Sequence, residues 1–203
     1  MDNSTPVFFN SDLKADRLNF ISRLLLDARY SALNDANTEL DDNYCKGTLA
    51  FGRQRQAIIQ ACLKKQYPWL TVSHAGTDVI FKIGSVIVRF FTDNSRHPRK
   101  PRVLIPTVAE STQLGIFEPS SNEVVLWRFI VEKAMNDEDV DTVYFIGINE
   151  FNEIICRWTY EGSVPVLHSI DDSTPHEKEL PPASVTPKFK DEKSNPKLDD
   201  VQR

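Results

Sequence analysis

The stretch SRHPRKPR places four cations, Arg96, Arg99, Lys100 and Arg102, within seven residues. Side chains of this kind capture carboxylates or phosphates by charge-assisted hydrogen bonds. The interleaved Pro98 and Pro101 hold the backbone extended, which keeps the cations apart and displayed. A second set, Arg53, Arg55, Lys64 and Lys65, falls along one apparent helix and reads as an electrostatic rail. Trp69 is the aromatic candidate for partner contact, with Tyr67 and Phe91 as further stacking surfaces. Both sets lie in segment 44–102, which holds eleven basic and two acidic side chains, net +9, although the chain as a whole is net −5. The flanking segments 1–43 and 103–203 are net −4 and −10. Such asymmetry points to an anionic partner. The competing reading is that the positive block faces the negative blocks of the same fold.

Carboxylates offer a different chemistry. A magnesium-dependent nuclease needs clustered acids to hold its ion, and Asp78, Asp93 and Glu123 are the acids that folding could assemble. The strand after Asp78 carries Ile87 and Arg89 where a carboxylate and a lysine would strengthen that reading. GTLAFGRQ, residues 47–54, has the glycine spacing of a phosphate-binding loop. Arg53 and Gln54 replace its lysine and hydroxyl, and no strand precedes it. Ser85 in IGSVI lacks the second glycine of a nucleophile elbow. His74, His97, His168 and His176 are dispersed, and Cys45, Cys62 and Cys156 form no CxxC pair. No metal and no cofactor is therefore expected. Three scattered thiols fit a reducing compartment, with Cys62 and Cys156 at core positions.

These residues need elements to position them. Leu18, Ile21, Leu24, Leu25 and Ala28 recur at helical spacing and predict a helix over 12–33, capped by Ser11 or Asp12. After a polar connection, Ile58, Ala61, Cys62 and Leu63 predict a second helix over 47–66, ending before Pro68. TDVIFKIGSVIVRFFT, residues 77–92, predicts a hairpin turning at Gly84-Ser85. Its register pairs Ile83 with Val86, Phe81 with Val88 and Val79 with Phe90 on a core face. The opposite face, with Ile80, Lys82, Ile87, Arg89 and Phe91, is mixed and either partly solvated or lining a site. VLIPTV, residues 103–108, predicts an edge strand. Residues 120–136, apolar nearly all round and opened by Ser120 and Glu123 at capping-box spacing, predict a buried helix. Residues 142–160 predict another hairpin, with Ile154, Cys156, Trp158 and Tyr160 on one face. From Ser169 five prolines and many charges leave too little apolar surface to offset chain entropy, which predicts a disordered tail.

The sequence thus reads as a single α+β domain over 11–168, between a disordered N-terminus, 1–10, and a disordered tail, 169–203. It predicts two N-terminal helices, then an antiparallel or mixed sheet built from two hairpins with a buried helix between them. MDNSTPVFFNSD has no basic region or apolar core of a secretory signal, and no run of about 18 apolar residues exists. A cytoplasmic protein that does not enter membranes is expected; the sequence sets no oligomeric state. The functional expectation is a non-enzymatic, intracellular regulatory or inhibitory protein. It would bind an anionic macromolecule, an acidic protein or DNA/RNA, through 44–102. The alternative is a metal-dependent nuclease using Asp78 with Asp93 and Glu123.

Overall fold

A computed structural model describes residues 5–114, 123–134, 136 and 139–162. The predicted tail at 169–203, and Ser120, lie outside the described residues. The chain runs α1 (Pro6–Phe9), α2 (Ala15–Asp35), α3 (Asn43–Leu63), β1 (Leu70–His74), β2 (Ile80–Ile83) and β3 (Val86–Thr92), then α4 (Pro101–Leu104), α5 (Val108–Leu114), β4 (Leu126–Glu132), β5 (Thr142–Ile148) and β6 (Ile154–Thr159). This is the α+β class, with one six-stranded mixed sheet in the order β1-β2-β3-β4-β5-β6. Neighbouring strands are antiparallel except β3 and β4, which are parallel. A parallel pair needs a crossover, and the chain between β3 and β4 contains α4 and α5. None of the described helices is long and apolar enough to cross a membrane.

The stripes on α2 and α3 pack on one face of the sheet. There Leu18, Ile21, Leu25 and Ile58 meet Phe81, Val88, Phe129 and Phe145 in the main core. The other face holds a smaller cluster, Phe91, Val103, Leu126, Ile130, Ile146 and Ile148, to which α4 contributes Val103. Arg29 and Asp141 form a buried ion pair between α2 and the chain entering β5. The Asp141 carboxylate also accepts from the Ala134 amide at 2.7 Å, so burial of this acid is matched by donors.

Two of the predicted hairpin pairs form, Phe81 opposite Val88 and Ile83 opposite Val86, whereas Val79 and Phe90 do not pair, because β2 begins only at Ile80. Gly84 takes the turn's left-handed φ of +59°. Asp12 does not cap a helix. It accepts from the Ser85 amide at 2.9 Å and the Ser85 hydroxyl at 3.0 Å, and so braces the hairpin turn. The cap position of α2 is Lys14, without a side-chain bond. Helix α3 begins at Asn43, ahead of expectation, because Asp42 accepts from the Cys45 amide at 2.8 Å.

Three expectations are corrected, and one strand, β1, is additional to them. Residues 126–132 form strand β4, not helix, because a segment apolar all round fits a central strand buried on both faces as well as a buried helix. Segment 103–108 is not a strand: Pro101 opens α4 at its N1 position, and α5 follows. Strand β1 lies at the sheet edge, where LTVSH has a single buried residue and so little apolar pattern to read. The N-terminal stretch expected to be disordered contains α1, and Phe9 packs edge-on against Trp127 at 6.0 Å. In the last hairpin Ile154 opposes Ile148 while Cys156 opposes Gly147. This bulge turns Ile154 to the smaller cluster and leaves Cys156 in the main core.

Candidate functional site

A row of arginines crosses the sheet on the face of the smaller cluster. Arg89 of β3 is level with Arg128 of β4, which is level with Ile146 of β5 and then Arg157 of β6. Their surroundings differ. Arg128 is fully buried and satisfied: Nε donates to the Val103 carbonyl at 3.0 Å, and both terminal nitrogens engage Glu110. Glu110 in turn accepts from the Thr107 amide at 2.7 Å. Arg157 donates to the Ser95 hydroxyl at 2.9 Å and lies 4.2 Å above the Tyr144 ring.

Arg89 is less well provided than Arg128, and its buried Nε, like that of Arg157, has no partner among the described residues. Its side chain is 5% exposed, and its best bond is Nη1 to the Arg102 carbonyl at 3.2 Å. Its Nη2 stands 3.5 Å from Asp78, and its guanidinium lies 4.8 Å from the Phe91 ring. Burial, then the nearby Arg128 charge, lowers its pKa from the ordinary value. A buried cation with an incomplete set of acceptors is unfavourable.

Beside Arg89 the sheet opens. The β2–β3 ladder ends at the Phe81–Val88 pair, while β3 continues to Thr92 alongside β4. The opening is a cavity of about 530 Å³, with apolar walls from Phe51, Val79, Phe90, Phe91 and Pro101. Its polar lining includes Asp78, Arg89, Lys100 and Arg102. Arg102 also holds Asp78, at 2.9 and 3.1 Å.

The basic loop at the mouth of this cavity is ordered by its own acid and amide. Asp93 accepts from the backbone N–H of Asn94 at 2.8 Å, of Arg99 at 3.0 Å and of Lys100 at 2.8 Å. Asn94 accepts from the amides of Arg96 at 3.0 Å and His97 at 2.8 Å. Glu132 fastens the loop to β4 by accepting from Asn94 Nδ2 and the Ser95 amide, each at 3.1 Å. The nearest acids are thus occupied with loop backbone and Asn94. The side chains of Arg96, Arg99 and Lys100 are exposed and form no ion pair among the described residues.

The other cations of the basic segment do not gather there. Arg53 pairs with Asp35 at 2.5 Å and donates to the Ser31 hydroxyl at 2.9 Å. Arg55 donates to the carbonyls of Ala75 and Gly76, which secures the loop leading to Asp78. Lys64 and Lys65 are exposed at the C-terminal end of α3. At 1.5 Å per residue they stand about 14 Å along the axis from Arg55. Trp69 is half-buried against Phe20, Tyr67 and the Arg17 guanidinium, at 5.9, 5.6 and 5.4 Å. Arg89, a charge inside the apolar run VIVRFF, received no binding role from the sequence; that position was the available signal.

The three acids of the nuclease alternative have separate settings. Asp78 lies between Arg89 and Arg102, Asp93 holds loop amides, and Glu123 lines a different cleft of about 310 Å³ with Phe9 and Trp127. Among the described residues no group of three His, Cys, Asp or Glu side chains is placed to hold a metal ion. Comparison of the chain with protein-family models, curated proteins and solved structures finds no match.

Proposed function

We propose that this protein is a non-enzymatic regulatory or inhibitory protein whose loop 93–102 captures an acidic segment of a partner protein. The supporting observation is the loop itself: Asp93 and Glu132 order its backbone, and Arg96, Arg99 and Lys100 project outward with no ion pair among the described residues. A preorganised display lowers the entropic cost of binding. Arginines beside an aromatic-lined recess are common anchors of protein interfaces. A nucleic acid is better served by cations spaced along several successive phosphates. Here Arg53 is paired, Arg55 is fastened to backbone, and Lys64 and Lys65 stand apart, so the free charge is compact. No observation favours the nuclease alternative.

The test is fluorescence anisotropy with three labelled probes: a Glu/Asp-rich peptide containing Phe and Leu, a DNA duplex and a single-stranded RNA. The peptide is expected to bind, and Arg96→Glu/Arg99→Glu/Lys100→Glu to weaken it by more than about tenfold. Tighter binding of either nucleic acid, with a steep fall in affinity as salt rises, moves the partner to that class and overturns the protein reading. Binding of none of the probes also overturns it.

A further inference from the structure

We infer that the cavity at the end of β3 is a binding site for a small monocarboxylate with an apolar body, such as a medium-chain aliphatic or an aromatic acid. This site stands independently of any macromolecular partner of the loop. Its 530 Å³ volume lies within the range of small-molecule pockets, about 300–1,000 Å³. Phe51, Val79, Phe90 and Phe91 provide an apolar lining for the body of such a ligand. Arg89 provides the polar anchor: it is 5% exposed, its Nε has no partner among the described residues, and its Nη2 reaches Asp78 only at 3.5 Å. A carboxylate in the cavity would meet a terminal nitrogen of the guanidinium, and a turn of the side chain would bring Nε, now closed off from solvent, into the planar bidentate geometry that guanidinium favours. Binding would complete the bonding of a buried cation whose present set is incomplete.

Charge selects the class further. Arg89, Lys100 and Arg102 line the cavity with Asp78 as their counter-charge. That surplus attracts an anion. The apolar walls match the body of a monocarboxylate and leave the outer oxygens of a phosphate dianion without donors, while an uncharged analogue leaves Arg89 as it is.

The experiment uses the full chain, isotope-labelled for amide NMR, titrated separately with octanoate, benzoate, 1-octanol and inorganic phosphate. Octanoate or benzoate is expected to give saturable shifts centred on 77–79, 89–91 and 100–102. The carboxylate that binds should do so at least about tenfold more tightly than 1-octanol. Arg89→Gln should erase that preference. Because Arg89 is buried, the exposed Arg102→Gln is the companion variant; it should weaken the carboxylate about threefold to tenfold in a protein that still folds. The proposal is overturned if 1-octanol equals the carboxylates, or if phosphate binds as tightly. It is equally overturned if the shifts map to the cleft at Phe9 and Trp127, or if neither carboxylate saturates by about 10 mM.

Discussion

At the scale of single residues, Arg89 and Arg128 are directly opposed on neighbouring strands, yet they do different work. Arg128 has a full set of acceptors and fixes α5 to the sheet through Glu110. Glu110→Gln should therefore destabilise the fold by about 3–5 kcal/mol, because it strands a buried guanidinium. In chemical denaturation, replacing both partners by leucine should cost less than the sum of the single changes. The thiols separate just as clearly. Burial pushes Cys62 up to about 11 and Cys156 up to about 12, whereas Cys45 is exposed. At pH 8 a thiol reagent such as Ellman's should titrate only Cys45 in the native protein and all three thiols after denaturation. The sequence already placed Cys62 and Cys156 in the core by their periodicity.

At the scale of elements, the turn of the β2–β3 hairpin is where local and distant residues meet. Gly84 has a positive φ, and a Cβ there would come within 2.2 Å of the Asp12 carboxylate. Gly84→Ala should cost about 1–2 kcal/mol from backbone strain alone, with a further loss from displaced Asp12, measured by denaturant unfolding. Asp12 also carries a pH signature. The Ser85 amide, then Arg17 and the Ser85 hydroxyl, lower its pKa below the ordinary 3.8. A depressed carboxylate stabilises the native state fully above its unfolded value, and that contribution is lost as pH falls through the lower native value. The stability difference between the parent and Asp12→Ala should thus shrink on going from about pH 5 to about pH 2; a constant difference would exclude this linkage.

At the scale of the molecule, the net +9 of segment 44–102 does not make one surface. Helix α3 carries Lys64 and Lys65 away from the loop, and Arg53 is neutralised by Asp35. If loop 93–102 carries the interaction, Lys64→Ser/Lys65→Ser should leave acidic-peptide affinity within about twofold. Reversal of Arg96, Arg99 and Lys100 should abolish most of it without lowering the melting temperature. Equal losses from both variants would argue for a diffuse field rather than a defined patch.

The sequence by itself determined the two long helices, the register of the 77–92 hairpin and the presence of a second hairpin. In each, apolar spacing matches one period and a turn or cap marks an end. It also located the basic loop and Arg89's mixed face. It did not decide β4, because LWRFIVE is apolar in both the helical and the strand period and only its pairing with β3 and β5 distinguishes them. It did not reveal the site either. That Asp93 orders backbone amides while Arg99 and Lys100 project outward, and that Arg89 is buried with an unpartnered Nε, depend on atoms brought together by the crossover and by the early end of the β2–β3 ladder. Charge and alternation are local properties of a chain, whereas the pairing of a charge is decided only by what folding sets beside it.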